Sequence, residues 1–239
     1  MGATLLLAAE LGRALLASPR FAVRRVEIRA EPGLARELAN RVRLRPGTNL
    51  ALANTRALAR ELGAAPQVKS LRVHRRWPDR IVVEAEARQG IAVSRTGESA
   101  VFYDAEGWPF TVPGAWGWEL PEFVGPGLEA APPRSEEPRP GARQLLSCLC
   151  ALRDQGGVAP RRLRLDSLGR VTAELEGGPE VRLGQPRQLE LKARRLRAVL
   201  AALAGKDEAE YIDLSSPYGV VWKPREGPAA PRSPSRPSG

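Results

Sequence analysis

The first third of the chain combines apolar patterns of two different periods. In residues 21–30 ("FAVRRVEIRA") apolar positions stand among basic ones, which predicts a β-strand. Leu34, Leu38 and Val42 recur at i, i+4 and i+8, the spacing of one apolar stripe along a helix. Asn54 suits the N-cap of a second short helix. This part of the chain therefore predicts a strand followed by two helices.

Residues 70–88 ("SLRVHRRWPDRIVVEAEAR") predict two strands that meet at a corner. Leu71 and Val73 alternate with Arg72, so apolar and basic side chains lie on opposite faces. Pro78 suits the second position of a turn and cannot donate a hydrogen bond in a central strand, which places the corner. Together with the preceding segment, the predicted order is β-α-α-β-β within about 70 residues.

The region 89–223 predicts a second domain of short strands with two helices. An apolar run over 142–157 and an amphipathic run over 189–205 predict the helices, and the strands lie between turn signals. The segment 126–141 is rich in proline and charge and predicts a surface loop, and 224–239 is predicted to be a disordered tail. The predicted class is α+β: a small β-α-α-β-β domain followed by a mixed, antiparallel-rich β domain with two packed helices.

The positive charge of the chain is concentrated at its start. The net charge is +10, and residues 21–88 contribute 15 Lys and Arg against 7 Asp and Glu. Proteins that bind single-stranded nucleic acid place aromatic side chains within a basic groove. Here the basic third holds only Phe21, predicted to be buried, and Trp77, so nucleic acid is not the expected partner. Anionic lipid headgroups are the alternative that this charge suits.

No pattern for catalysis emerges from the residues. His74 is the single histidine and stands among arginines on a predicted strand, where a solvated role is expected. The carboxylate pairs Glu84/Glu86 and Glu136/Glu137 are typical of solvated surface. No phosphate-binding or dinucleotide-binding glycine motif is present in the sequence. We therefore expect no catalytic residue, no cofactor and no small-molecule substrate.

Cysteine usage also argues against a metal site. Cys148 and Cys150 are the only cysteines and lie in one apolar run predicted to be helical, where side chains two residues apart point to different faces. A disulfide between them is not expected, and one histidine with two cysteines does not make a zinc site. Both are predicted to be small core residues.

The N-terminal segment Ala3–Ala17 is apolar apart from Glu10, Gly12 and Arg13. A membrane span needs roughly 20 apolar residues, so this run is too short alone. It also lacks the basic start and the cleavage site of a signal peptide. From the residues, two interpretations stay open: an ordinary amphipathic helix, or the outer end of a membrane helix whose start is missing.

A series of motifs in this order resembles the FtsQ/DivIB family of bacterial cell-division proteins. The matching stretches run from about residue 15 to residue 223. They are "SPRFAVRRVEIRA", "LRPGTNL", "APQVKSLRVHRRWPDRIVVEAEARQGIAV", "YDAEGWPF", "LPEFVG", "VRLG", the helix that contains Lys192, and "YIDLSSPYGVVWKP". Each motif is weak alone, and their common order makes the resemblance specific.

The resemblance implies a single-pass inner-membrane protein whose bulk lies outside the cytoplasm, in the periplasm, at the division septum. Residues 1–20 would be the remnant of its membrane helix, with the start missing. Residues 21–88 would be a polypeptide-transport-associated (POTRA) domain, and 89–223 the β domain of the family. The implied role is a non-enzymatic scaffold that helps to position septal peptidoglycan synthesis.

The resemblance also implies partners and a site. The partners are FtsB- and FtsL-like coiled-coil division proteins, and they would add a strand to the edge formed by the last strand of the chain. The implied site consists of six residues: Ser215, Ser216, Gly219, Val220, Val221 and Trp222. The alternative is another POTRA-containing protein, which handles unfolded strands in outer-membrane assembly or secretion.

Overall fold

The computed structural model describes residues 18–45, 47–97, 99–112, 119–128, 137–204 and 209–225. The predicted N-terminal apolar helix, the centre of the proline-rich loop and nearly all of the predicted tail lie outside these ranges. Within the described ranges, no helix combines the length and the apolar character that crossing a membrane requires. The chain divides into two compact units, 1–89 with 110–112 and 90–109 with 113–239.

The first unit is a three-stranded sheet with two helices. Its elements are β1 (Arg25–Arg29), α1 (Pro32–Arg41), α2 (Thr55–Gly63), β2 (Val68–Arg76) and β3 (Arg80–Ala87). The strand order is β1-β3-β2, with β1 parallel and β2 antiparallel to β3. The β-α-α-β-β order predicted from the sequence is confirmed.

The helices of the first unit form because each begins at a residue that favours a helix start and buries an apolar stripe against the sheet. Pro32 starts α1, where its missing N–H is not needed. The side chain of Asn54 accepts a hydrogen bond from the backbone N–H of Ala57 at 3.0 Å and caps α2 as predicted. Leu38 and Leu62 are fully buried against the sheet in the same hydrophobic cluster as Ile81. This cluster is the core of the first unit.

The entry into the first unit differs from the prediction. The residues expected to begin a strand at Phe21 form a short 3-10 helix over Pro19–Phe21, and β1 begins only at Arg25. Ser18 caps this turn, since its side chain accepts from the backbone N–H of Arg20. Phe21 is half-buried instead of buried. A proline at the first helical position favours this turn over an extended start.

The second unit is built on one large mixed sheet. Its strands are β4 (Ala92–Thr96), β5 (Ser99–Tyr103), β6 (Pro109–Phe110), β7 (Glu122–Val124), β8 (Pro160–Leu165), β9 (Val171–Leu175), β10 (Glu180–Gly184), β11 (Ala209–Asp213) and β12 (Val221–Pro224). The order across the sheet is β12-β11-β10-β9-β8-β7-β4-β5-β6. The helices are α3 (Pro140–Asp154) and α4 (Leu189–Leu203). The predicted α+β class is confirmed.

Helix α3 supplies much of the core of the second unit. Leu145, Leu149 and Leu152 are at most 1% exposed and pack in one cluster with the inner face of the sheet. Cys148 lies among them, and burial raises the pKa of its thiol to about 12. Cys150 is exposed, so its predicted place in the core is wrong. Side chains two positions apart on a helix face in different directions, and only one of the two reaches the core.

Tyr103 joins this core to the start of the proline-rich loop. Its ring is fully buried and lies 6.1 Å from the ring of Phe123, and its hydroxyl donates to the carbonyl of Leu128 at 2.6 Å. Burial raises the pKa of Tyr103 to about 12, because the interior disfavours the phenolate.

We expect Tyr103→Phe to lower the free energy of unfolding at neutral pH by about 1–3 kcal/mol, because the carbonyl of Leu128 loses its buried donor. The difference in unfolding free energy between the wild type and Tyr103→Phe should become smaller at alkaline pH. Between pH 10 and about 12 the unfolded chain releases the tyrosine proton and the folded chain keeps it, so the wild type alone loses about 3 kcal/mol there. Urea unfolding measured over this pH range tests both effects, and a pH-independent difference would contradict the second.

Candidate partner-binding edge

Strand β12 lies at one edge of the sheet of the second unit. It pairs only with β11, in an antiparallel register in which Tyr211, Ile212 and Asp213 stand opposite Lys223, Trp222 and Val221. Among the described residues, no strand covers its other side. Backbone N–H and C=O groups on a sheet edge are available to a further strand from another chain.

The six predicted site residues do not all lie on this strand. Val221 and Trp222 belong to β12, whereas Ser215, Ser216, Gly219 and Val220 lie in the connection between β11 and β12. The placement of the whole set on the last strand is therefore corrected. The last strand is shorter than the segment of the six residues, because residues 214–220 connect β11 to β12 and bend at Pro217.

The two faces of β12 differ. Directly opposed residues of an antiparallel pair share one face, so Trp222 lies on the same face as the fully buried Ile212. Val221 and Lys223 lie on the other face. Trp222 is 38% exposed and Val221 is 60% exposed. Trp222 therefore stands where the apolar core reaches the sheet edge, with part of its surface uncovered.

Tyr218 is an exposed residue beside the candidate edge that the sequence analysis did not name. It is 96% exposed at the tip of the turn before β12, close in sequence to the exposed Val221 and Trp222. An aromatic side chain with nearly all its surface in water is uncommon in a folded domain and is typical of interaction surfaces. In the sequence, Tyr218 stands between Pro217 and Gly219, and an aromatic residue between two turn-forming residues indicates an exposed ring.

The connection between β11 and β12 is held by local hydrogen bonds. The carboxylate of Asp213 accepts from the backbone N–H of Ser215 at 2.8 Å and from its hydroxyl at 2.5 Å. The hydroxyl of Ser216 accepts from the backbone N–H of Tyr218 at 3.3 Å. The guanidinium of Arg195 donates to the carbonyl of Pro217 at 3.0 Å. Both predicted serines thus shape the turn that presents Tyr218.

A buried lysine holds the end of β10, which lies beside this connection. Lys192 on α4 is 7% exposed, and its ammonium donates to the carbonyls of Leu183 at 2.5 Å and Gln185 at 2.8 Å. Burial lowers the pKa of Lys192, with Cys148 and Asp213 acting in the opposite direction. These two carbonyls flank Gly184, where β10 shifts register against β9.

Gly184 at the end of β10 lies directly against the connection between β11 and β12. It has a φ of +64°, and a Cβ built on it would lie 2.7 Å from the Cβ of Ser215. The backbone N–H of Leu214 donates to the carbonyl of Arg182 at 2.8 Å beside it. The "VRLG" motif therefore ends in glycine because the chain entering the turn passes directly over it.

Charged side chains near the edge are arranged in exposed pairs. Lys223 pairs with Glu210 at 2.6 Å, and Arg182 pairs with Glu180 at 2.9 Å. The guanidinium of Arg182 also lies 4.1 Å from the centre of the Tyr211 ring. Exposed ion pairs contribute little to stability, so these residues affect the charge that a partner meets more than they affect the fold.

The carboxylates of the two pairs considered in the sequence lie at the surface where they are described: Glu86 and Glu137 are exposed, and Glu84 is half-buried. His74 is exposed on β2, Glu84 pairs with Arg29 at 3.4 Å, and Glu86 accepts from the hydroxyl of Ser70 at 3.2 Å. Glu136 lies outside the described residues. In the described ranges, no group of three or more His, Cys, Asp or Glu side chains is placed to hold a metal ion. The geometry offers a strand edge for binding.

Both units match known domains in the order in which the structure presents them. Residues 21–86 match the POTRA domain of FtsQ type, and residues 92–215 match the C-terminal region of the cell division protein FtsQ/DivIB. The chain belongs to the FtsQ/DivIB family. The resemblance drawn from the motifs is confirmed, and the FtsQ type of both matches favours a division protein over the alternative of outer-membrane assembly or secretion.

Several members of the FtsQ/DivIB family are similar to this chain over most of its length. Cell division protein FtsQ of Myxococcus fulvus is 33% identical over 229 residues, which cover 91% of this chain and 78% of the relative. Cell division protein FtsQ of Anaeromyxobacter sp. is 33% identical over 82% of this chain and 69% of its own. The protein of the same name from Mycobacterium bovis is 26% identical over 87% of this chain and 62% of its own.

Proposed function

We propose that this chain is a non-enzymatic scaffold of the bacterial division machinery that binds FtsB- and FtsL-like coiled-coil partners by strand addition at β12. The observation that carries the proposal is the open edge of the large sheet, where β12 pairs only with β11 among the described residues and exposes Val221 and Trp222. Membership of a division-protein family supplies the biological setting.

Strand addition accounts for the arrangement of the edge. A partner segment that pairs with β12 would satisfy the backbone groups on its open side and lengthen the sheet. Side chains of the partner on the face of Trp222 would extend the apolar core beyond Ile212, while those on the other face would contact Val221 and Lys223. Tyr218 at the adjoining turn would cover one end of the added strand. Aromatic side chains of this kind dominate the energetics of interfaces.

We further propose the cellular arrangement of the chain. Residues 1–20 would anchor it in the inner membrane as part of a single membrane helix, residues 21–88 would act as a spacing domain, and 89–223 would present the partner edge outside the cytoplasm. The apolar run Ala3–Ala17, which ends just before the first described residue, Ser18, supports this arrangement. At the septum, such a scaffold would position the enzymes of peptidoglycan synthesis without catalysing a reaction.

The test of the partner edge is Val221→Lys. Val221 is the better position than Val220, because Val220 packs partly buried against the core and its substitution would disturb the fold. We expect Val221→Lys to weaken co-purification with an FtsB-like coiled-coil protein at least about tenfold, since a charge would replace a desolvated apolar contact. Trp222→Ala should act in the same direction.

Leu168→Lys is the matched control for this experiment. Leu168 is 66% exposed on a turn of the same unit, away from β12 in the strand order, so it introduces the same charge at a similarly exposed apolar position. The control should bind the partner as the wild type does. Equal binding by Val221→Lys and Leu168→Lys, with both proteins folded, would reject strand addition at β12.

A further inference from the structure

The first unit exposes two large apolar side chains. Among its described residues these are Leu52, which is 64% exposed, and Trp77, which is 56% exposed. Neither belongs to the core cluster of the unit, to which the loop around Leu52 contributes Leu50 and Ala53 instead. The scaffold function proposed above uses the other unit and leaves both side chains unexplained.

Leu52 and Trp77 belong to the same end of the unit. The ring of Trp77 meets the ring of Phe21 edge-on, with 5.5 Å between ring centres. The carbonyl of Phe21 accepts from the backbone N–H of Leu50 at 2.7 Å, which ties the entry of the chain to the loop that carries Leu52. We call Phe21, Leu52 and Trp77 the apolar tip.

Arg75 fixes the loop of the apolar tip to the strand that leads to Trp77. Its guanidinium donates to the carbonyls of Leu50 at 2.8 Å and Ala53 at 2.7 Å. These two carbonyls bracket Leu52 in sequence. The position of Leu52 relative to β2 is therefore set by two hydrogen bonds, and its exposure is built into the fold of the loop.

Basic residues surround the apolar tip. Arg20 and Arg24 flank Phe21, Arg76 precedes Trp77, and all three are exposed. The nearest acid in sequence, Asp79, lies 3.7 Å from Arg80, and its carbonyl accepts from the backbone N–H of Arg24 at 2.9 Å. The tip thus combines exposed apolar surface with three exposed arginines beside it in sequence.

We propose that the apolar tip rests on an anionic lipid surface, with Leu52 and Trp77 in the interfacial layer and the neighbouring arginines at the phosphate groups. Tryptophan is enriched at the boundary between lipid and water, and each basic residue near an anionic surface adds attraction. The inference rests on the proposed membrane location, because the apolar run that ends at Ala17 would bring the bilayer to this end of the unit. It adds that the first unit itself touches the lipid, so that its tilt on the membrane is restrained.

The charge and the apolar surface together favour lipid over nucleic acid. A strand-binding groove needs several aromatic side chains in a row for base stacking. The tip has one exposed tryptophan, and the second ring, Phe21, is half-buried behind it. An exposed leucine beside arginines has no role in base stacking, but it suits the interface of a bilayer.

The test places an environment-sensitive nitrobenzoxadiazole dye on the tip of the full chain. Leu52→Cys is made with Cys150→Ser, because Cys150 is the exposed native cysteine, and the labelled protein is mixed with vesicles of phosphatidylglycerol and phosphatidylcholine in equal parts. We expect dye emission to rise at least about twofold and to shift to the blue as position 52 enters the interface. Vesicles of phosphatidylcholine alone should give a smaller change.

Leu168→Cys in the same background is the matched control, since Leu168 is 66% exposed but lies in the second unit. Its dye should not respond. Replacing Arg24 and Arg76 with glutamine should raise the lipid concentration needed for the response at position 52 about 25-fold, at about fivefold for each arginine. The same change at Arg153 and Arg161, which are exposed in the second unit, should have no effect.

The outcomes separate this inference from the proposed location. If the chain sediments with the vesicles but the dyes at positions 52 and 168 respond alike, the contact of the apolar tip is wrong and the membrane location stands. If the chain does not bind the vesicles at all, the contact of the apolar tip with lipid is wrong. Retention of the response after the arginine changes would reject the role assigned to the charge.

Discussion

Lys192→Met is expected to lower the free energy of unfolding by about 2–4 kcal/mol, because two carbonyls lose their donor inside the second unit. The ammonium of Lys192 donates to Leu183 and Gln185, and Leu183 is buried. Methionine keeps most of the volume of the stem and removes the cost of burying a charge, which offsets part of the loss. The net loss of stability is the cost of leaving the carbonyls of Leu183 and Gln185 without this donor.

Arg194→Met is the matched control for Lys192→Met. Arg194 lies on the same helix and is exposed, so its replacement should change the stability by no more than about 0.5 kcal/mol. Urea unfolding of the two variants and the wild type gives the comparison. Equal stability of Lys192→Met and Arg194→Met would show that the two hydrogen bonds contribute nothing to the fold.

The pH dependence gives a second measure of Lys192. Burial lowers the pKa of the Lys192 ammonium in the folded chain below its ordinary value of 10.5, which the unfolded chain keeps. At pH values between the folded pKa and 10.5, the unfolded chain therefore binds more protons than the folded chain. Stability contributed by this group therefore rises with pH through that window. The neutral amine keeps two N–H groups, enough for both carbonyls. The stability gap between wild type and Lys192→Met should widen as the pH approaches 10.5.

The sequence predicts the helices and strands of this protein better than it predicts which of their side chains are buried. Alternation and helical spacing locate the strands and helices of both units, because these patterns reflect local geometry. Leu189, Leu196, Val199, Leu200 and Leu203 of α4 belong to the core cluster or pack against it, as the amphipathic pattern predicts. The pattern does not predict that Lys192 is buried beside them. A lysine is buried only where carbonyls converge on it, and the shift of register at Gly184 that brings them together is a tertiary feature.

The candidate site shows the same limit. The resemblance points to the segment that ends in β12, but the edge position of β12 follows from the strand order β12-β11-β10, with β10 parallel to β11. No local pattern carries that order. The exposure of Tyr218 and of Leu52 is likewise decided by what the rest of the chain leaves uncovered. Function at a surface therefore needs the topology as well as the motif.

Gly184→Ala is expected to lower the free energy of unfolding by about 2–5 kcal/mol and to weaken partner binding at β12. A residue with a side chain at a left-handed φ costs about 1–2 kcal/mol, and an overlap in a packed region adds about 1–3 kcal/mol. The overlap is with Ser215, whose Cβ and Cα lie 2.7 and 3.1 Å from the added atom. Both are close to the backbone and cannot rotate away, so the connection must shift.

Gly177→Ala is the control that separates the cost of the left-handed φ from the cost of the overlap with Ser215. Gly177 has a φ of +63° against +64° for Gly184, and nothing lies within 4 Å of a Cβ built on it. It should therefore lose only the conformational part, about 1–2 kcal/mol, and keep full binding to the coiled-coil partner. A displaced connection changes the turn that holds Tyr218 and the start of β12, so Gly184→Ala should lose binding even at temperatures where it is fully folded. If the two variants have equal stability and equal partner affinity, the close approach of β10 to Ser215 does not position the edge.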